Sequence, residues 1–267
     1  MISKDTIRDA LLEYGISEFA VMPVSDAVFL RGKQLPDKYK TCIMFLIPYN
    51  TGIKINDTYN MGRFARSLDY HAFAKEVDGY LIAKLKEASG NEEEFASFCD
   101  SSPTDEKETA VKAGLGSKGK NSLLINKKYG SYCFISEIFT TADIETSFAG
   151  SGGRVCSDCM LCAAACPVGA VSENGFEREK CLSHISQKKK KTEKELELLR
   201  EHKTVWGCDI CQQACPANKN AELSGIEYFS RGFIADLTPE TIKDMSDEEY
   251  EKRSFSYRKR EAIEENF

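Results

Sequence analysis

The 267-residue sequence has no apolar run near the roughly 20 residues that a membrane-spanning helix needs. Its first residues, MISKDTIRDALLEYG, are charged and helix-like and lack the apolar stretch of a secretory signal. Basic residues number 36 against 42 acidic ones, a net charge of −6, so no global positive field points to a nucleic-acid partner. There is no GxxxxGK(S/T) phosphate loop, no dinucleotide fingerprint between a strand and a helix, and no long-period repeat. These absences argue against a membrane-spanning, P-loop or solenoid protein and lead us to expect a cytoplasmic chain.

Cysteine is what the sequence has in excess. Eleven are present, and eight of them fall between Cys156 and Cys215. In a reducing compartment such a cluster points to metal ligation or redox chemistry rather than disulfides. The first motif is Cys156-x-x-Cys159-x-x-Cys162-x-x-x-Cys166-Pro167, and the second is Cys208-x-x-Cys211-x-x-x-Cys215-Pro216, with Cys181 upstream. Zinc favours isolated Cys-x-x-Cys pairs. Three thiols at three-residue spacing and a fourth before proline are the pattern of bacterial [4Fe–4S] proteins, in which the cysteine before proline ligates the other cluster. By that rule one cluster takes Cys156, Cys159, Cys162 and Cys215. The other takes Cys166, Cys208, Cys211 and, in place of a missing first cysteine, Cys181. Cys42, Cys99 and Cys133 lie in apolar runs and read as core thiols.

The pattern divides the chain in three. Residues 1–150 read as an α/β (α+β) domain. Buried strands are expected at FAVMP and CIMFLIP, a long amphipathic helix over 69–89, a strand over 95–100 and a helix over 104–113. SLLIN and SYCFIS are predicted to pair through the turn between them. Gly150-Ser-Gly-Gly153 is the expected joint to a ferredoxin-like double-cluster domain over 151–225. Within it, Thr192 and Glu195 have the spacing of a helix capping box, and Lys188 to Lys191 read as a solvated helix lead-in or a phosphate-contacting patch. Residues 226–267 read as an acidic helical tail.

The ferredoxin pattern leaves about 150 preceding residues without a role, and their polar motifs are distinctive. Asp100-Ser-x-Pro-x-x-Glu106 follows an apolar stretch. Ala113-Gly-Leu-Gly-x-x-Gly-Lys-Asn121 then leads into the run Leu124-Ile125-Asn126. Taken alone, Asp100 is an Asx-turn cap ahead of Pro103, and the glycines are a helix C-cap and a turn. Together with Arg63-Phe-Ala, Asp69-Tyr-His71, Gly130-Ser131, Cys181-x-Ser183 and Cys208-Asp-x-Cys-Gln, they resemble the epoxyqueuosine reductases over roughly residues 60–220. The resemblance implies a cobalamin-binding first domain, related to that of the reductive dehalogenases, and two [4Fe–4S] clusters that feed it electrons. It also implies reduction of epoxyqueuosine to queuosine in tRNA. Asp100 occupies the family's proton-donor position. Corrinoid contacts are implied for Arg63, Tyr70, Lys118, Asn121, Leu124, Ile125, Asn126, Ile135, Ser183 and Asp209. An external donor such as a flavodoxin or ferredoxin would supply electrons, and the enzyme is expected to be a monomer. His71 reads as polar surface rather than a cobalt ligand.

The sequence departs from the family between the FAVMP and CIMFLIP strands, which lie close together. It departs again at Ser67-Leu68 and Ser117-Lys118, and after Pro216, where the chain is brief. These segments lie where substrate would be gripped. Two other readings accompany the first: a corrinoid iron–sulfur reductase of another small substrate, and a ferredoxin-like electron carrier.

Overall fold

The structure, a computed structural model, describes residues 2–146 and 155–267; the expected glycine joint at 150–153 lies outside them. The first helix, α1 (Lys4–Leu12), is capped by the Ser3 hydroxyl, which accepts from the Thr6 amide. The strands β1 (Phe19–Pro23) and β2 (Thr41–Pro48) follow. Helix α2 (Tyr70–Ser89) begins where the Asp69 carboxylate accepts from the His71 amide and ends at Gly90 with φ +75°. Strand β3 (Phe95–Phe98), helix α3 (Glu106–Lys112) and strand β4 (Cys133–Thr140) complete the first region. The strands form one antiparallel sheet in the order β1-β2-β4-β3.

All eight residues of β2 are buried, which explains an apolar run without alternation. Ile43, Phe45 and Ile47 pack with α1 and α2, while Cys42, Met44 and Leu46 face Ala110, Ala113 and Leu115 at α3. Alternate β2 side chains therefore serve two cores, one on each face of the sheet. Cys42 is fully buried, and Cys99 and Cys133 pack against these cores.

The predicted pairing of SLLIN with SYCFIS does not occur. Leu124–Ile125 instead pairs with Ser117–Lys118, and β4 is taken up on both edges by β2 and β3. One bridge, Asn126 to Gly130, remains between the two runs. An eight-residue register with β2 satisfies more backbone groups than a hairpin with a two-residue strand.

The cysteine-rich region adds short elements: α4 (Leu161–Ala165), α5 (Leu182–Ser186), α6 (Glu193–Glu201), β5 (Thr204–Trp206) and α7 (Ile210–Gln213). Thr192 and Glu195 form the expected capping box on α6. Strand β5 pairs in parallel with Asn60–Met61, which draws this region against the first. The final segment is no free tail. Phe229 lies in the α1–α2 core, while Leu237, Ile242, Phe255 and Ile263 surround Trp206. Its apolar residues are spread over several short helices, and each buries a side chain into a different gap.

A knot of side chains locks the cysteine region to the sheet. The buried Gln212 amide donates to the Tyr49 hydroxyl at 3.1 Å and to the Ser131 carbonyl at 2.9 Å. Asn218 accepts from the Ser131 amide at 2.8 Å and donates to the Ser131 hydroxyl at 2.9 Å and the Gln212 carbonyl at 2.6 Å. Neighbouring Gly130 has φ +59°, and a Cβ there would meet Asn218 Oδ1 at 2.0 Å. Gly130→Ala should therefore lower stability by roughly 3 kcal/mol, from left-handed strain and overpacking together. Chemical unfolding would measure it; a loss under about 0.5 kcal/mol would show that the knot yields freely.

Candidate functional site

Three cavities follow one another along the junction. The first, of about 280 Å³, is lined by Cys156, Cys159, Cys162 and Cys215 together with Asn121 and Ile125. The chain wraps it by placing Asp158 and Met160 at φ +54° and +57°, a left-handed path into α4. The cysteine before Pro216 thus lines this cavity with the three from the other motif. The second cavity, of about 910 Å³, is lined by Cys181, Cys208 and Cys211 along with Asn121, Ser122, Leu123, Ser183 and Gln187. Cys166 is not on its wall; its sulfur accepts from the Ala170 amide at 3.3 Å. Burial raises the Cys208 thiol to about 11 and the Cys211 thiol to about 12, and the Cys181 sulfur adds to both. The Asn60 amide donates to the Cys208 sulfur at 3.1 Å and opposes that rise.

Among the described residues no three His, Cys, Asp or Glu side chains converge on a point that would hold a single ion. The thiols instead stand around open volumes. Soft sulfur donors in this number suit a polynuclear iron–sulfur cluster.

The third cavity, of about 450 Å³, is lined by Phe64, Asp69, Tyr70, His71, Asp100, Gln187, Trp206 and Tyr257. It shares Gln187 and Tyr257 with the second cavity, and the Tyr257 hydroxyl donates to Gln187 Oε1 at 3.2 Å. Asp100 stands on its wall at φ +63°, a strained backbone for a non-glycine residue. Its carboxylate accepts from the Tyr70 hydroxyl. Tyr70 is buried and stacked on Phe134 with centroids 3.8 Å apart. His71 bridges two acids, with Nδ1 at 2.7 Å from Asp69 and Nε2 at 3.9 Å from Asp100. Its bond to Asp69 raises its pKa, burial opposes that, and Asp100 adds to the rise. The Asp100 side chain is 53% exposed, so whatever covers it must come from the cavity side.

Four of the sequence-predicted cofactor contacts line these cavities: Tyr70, Asn121, Ile125 and Ser183. Asn121 is on the wall of both thiol cavities. The other six occupy structural positions. The Arg63 guanidinium donates to the Ile53 carbonyl at 3.0 Å, and its amide donates to the buried Asp209 carboxylate at 2.6 Å. Burial lifts Asp209 to about 6 against that bond. Lys118 pairs with Glu108 at 2.5 Å. Asn126 organises its own turn and donates to Glu18 at 3.0 Å. Leu124 and Ile135 are core. The sequence reading gave no role to His71, Gln187, Trp206 or Tyr257. Their clustering depends on contacts between distant segments, and only the Asp-Tyr-His triplet offered a signal.

Thiol cavities beside a strained acid in a cleft define the chain as an iron–sulfur oxidoreductase. Residues 155–218 match the family model described as a 4Fe-4S double cluster binding domain. The chain is 33% identical over 226 residues to the epoxyqueuosine reductase of Gloeobacter violaceus, a match covering 80% of this chain and 69% of the relative. It is 31% identical over 225 residues to that of Cyclobacterium marinum, covering 82% and 71%. A solved epoxyqueuosine reductase, bound to a tRNA-Tyr stem loop modified with epoxyqueuosine, superposes with a TM-score of 0.80 at 22% identity, covering 98% of this chain and 79% of its own. A catabolic reductive dehalogenase shares the fold with a TM-score of 0.50 at 17% identity, over 92% of this chain and 36% of its own. The chain belongs to the epoxyqueuosine reductase family.

Tyr70→Phe tests the hold on Asp100. The ring stack remains and only the hydroxyl bond is lost, so stability should fall by about 1 kcal/mol. Hydrogen exchange at the amides of residues 100–102 should quicken. Unchanged exchange would mean that Tyr70 does not restrain the loop.

Proposed function

We propose that this oxidoreductase reduces epoxyqueuosine to queuosine in tRNA, with Asp100 delivering a proton to the departing oxygen. The observation that carries the reading is the placement of Asp100. It is a strained acid held by Tyr70 in a cavity that shares two walls with the thiol cavity of Cys181, Cys208 and Cys211. The solved relative with its epoxyqueuosine-bearing stem loop supports the substrate, as does the 33% identity to a named reductase.

In this reading Cys156, Cys159, Cys162 and Cys215 hold one [4Fe–4S] cluster, and Cys166, Cys181, Cys208 and Cys211 hold the other. Each set mixes the two motifs, so both loops must be docked before either cluster is complete. A cobalamin fits the joined second and third cavities, whose sizes suit a large organic cofactor. When bound it would supply a strongly reducing cobalt centre. Tyr70, Asn121, Ile125 and Ser183 would touch it or the clusters beside it. The chain's own part is to hold the epoxide against Asp100 and keep the acid oriented through Tyr70 and the Asp69–His71 pair. Covering Asp100 excludes water and strengthens its bond to the opening oxygen.

We further propose three functional divisions: residues 1–150 for the corrinoid, 151–225 for the clusters, and 226–267 packed over both. The enzyme would act as a cytoplasmic monomer supplied by an external one-electron donor. Among the described residues no helix is long and apolar enough to cross a membrane.

Anaerobic protein should hold eight iron and bind one cobalt per chain, by metal analysis and optical spectrum. Iron without any corrinoid binding would leave an electron carrier. Asp100→Ala should keep both and lose at least about a hundredfold in turnover of epoxide-bearing tRNA. Wild-type protein that is fully loaded yet leaves that tRNA untouched would point to a different small substrate.

A further inference from the structure

Two carboxyl groups beneath the Asp100 loop, Glu137 buried and Glu106 half-buried, have no part in the chemistry above. Glu106 opens α3, and its Oε1 is sealed from solvent without a hydrogen-bond partner. Glu137, from the middle of β4, is fully buried. One of its oxygens accepts from the Thr104 hydroxyl at 2.6 Å and from the Ser102 hydroxyl, while its Oε1 is sealed and unpartnered too. Both carboxyls thus reach the loop that carries Asp100, one through Ser102 and Thr104 and one through the loop's amides.

An ionised carboxylate with a sealed, unpartnered oxygen is costly; protonation removes that cost. Burial pushes Glu106 up to about 8, and the charges of Asp100 and Glu137 push the same way. The amides of Ser102 and Asp100 oppose the rise without cancelling it. Burial also raises Glu137, the bonds from Ser102 and Thr104 oppose it, and Asp105 adds to it. The titratable groups facing this pair are Asp100, Asp105 and the thiols of Cys99 and Cys42. A sealed, unpartnered oxygen and the neighbouring charges thus favour the protonated form of Glu106, beside the loop that carries Asp100.

The stoichiometry makes this useful. Reducing an epoxide to an alkene breaks two C–O bonds, forms one C=C bond and releases the oxygen as water. It consumes two electrons, here from a one-electron donor through the clusters, and two protons. Asp100 holds one. Its exposed side faces the cavity that substrate would fill, so during turnover its open neighbours lie on the protein side. We propose that Glu106 is a positioning residue that holds the second proton and passes it, through a bridging water, to Asp100 once Asp100 has ionised. The inference rests on Asp100 as donor. In balance, Asp100 gives its own proton to the oxygen, takes one from Glu106 and gives that in turn, and after product leaves solvent returns two protons, one to Asp100 and one to Glu106.

The test compares Glu106→Gln, Glu106→Asp and Asp100→Asn in the full chain, loaded with both clusters and corrinoid, on an epoxyqueuosine-bearing stem loop. Glu106→Gln should lower kcat roughly tenfold or more with KM unchanged. The wild type should lose kcat as pH rises through about 8, the value burial gives Glu106, and Glu106→Gln should lack that fall. Glu106→Asp should restore part of the rate. Independently of activity, infrared spectra of wild type labelled with 13C-glutamate should show a protonated carboxyl at pH 7 that titrates near pH 8 and is absent from Glu106→Gln. If no such group titrates, the inference is overturned, whether or not the glutamine variant folds. A wild-type rate and pH profile in Glu106→Gln overturns it as well. A fully active Asp100→Asn would bring down the parent reading instead.

Discussion

The knot around Ser131 is the constraint on which the rest depends. Gln212 belongs to the segment that carries Cys208, Cys211 and Cys215, while Ser131 leads into β4, whose far half carries Glu137. Through this knot the thiols of the second motif take fixed positions relative to the sheet. Breaking it leaves buried amide and hydroxyl groups unpaired, each at a cost of about 1–3 kcal/mol. Strand β5, paired with Asn60–Met61, adds a second anchor, and Asn60 extends it to the Cys208 sulfur. The cysteine region is therefore part of a continuous structure with the first region.

That continuity orders the electrostatics along the junction. At one end are thiol cavities, and at the other are acids whose burial is uneven. Asp100 is half exposed on its strained turn, Glu137 is fully buried beneath it, and Glu106 is half-buried with one oxygen sealed. Asp78, on α2 at the other face of the sheet, is buried with its carboxylate accepting from Ser136 at 2.9 Å, and burial lifts it to about 7. Folded-state values raised in this way favour the fold at low pH, and that contribution is lost as pH rises through them. A fold optimised for stability alone would avoid such acids; their concentration around one loop is the physical argument for function here.

Much of this was legible in the chain. The spacing of Cys156, Cys159 and Cys162, with proline after Cys166 and Cys215, speaks for itself because a cluster-binding loop is local. The capping box of α6 was equally plain: Thr192 and Glu195 act on each other within a turn. What failed was pairing. SYCFIS was matched to its sequence neighbour, whereas β4 finds more partners in β2 and β3. The last forty residues looked like a tail because their apolar side chains follow no single helical stripe.

The sequence by itself determined the metal chemistry, the mixed α/β character and the family, since each depends on residue type at short spacing. Tertiary structure alone decided that Cys215 lines a cavity with the first motif, and that Tyr70, His71 and Tyr257 gather around Asp100. It also decided that Arg63 and Asp209 are bonded to one another and that Glu106 and Glu137 are sealed beneath the loop. Proximity between residues dozens of positions apart, and the burial that shifts an acid, arise only when distant segments exclude water together.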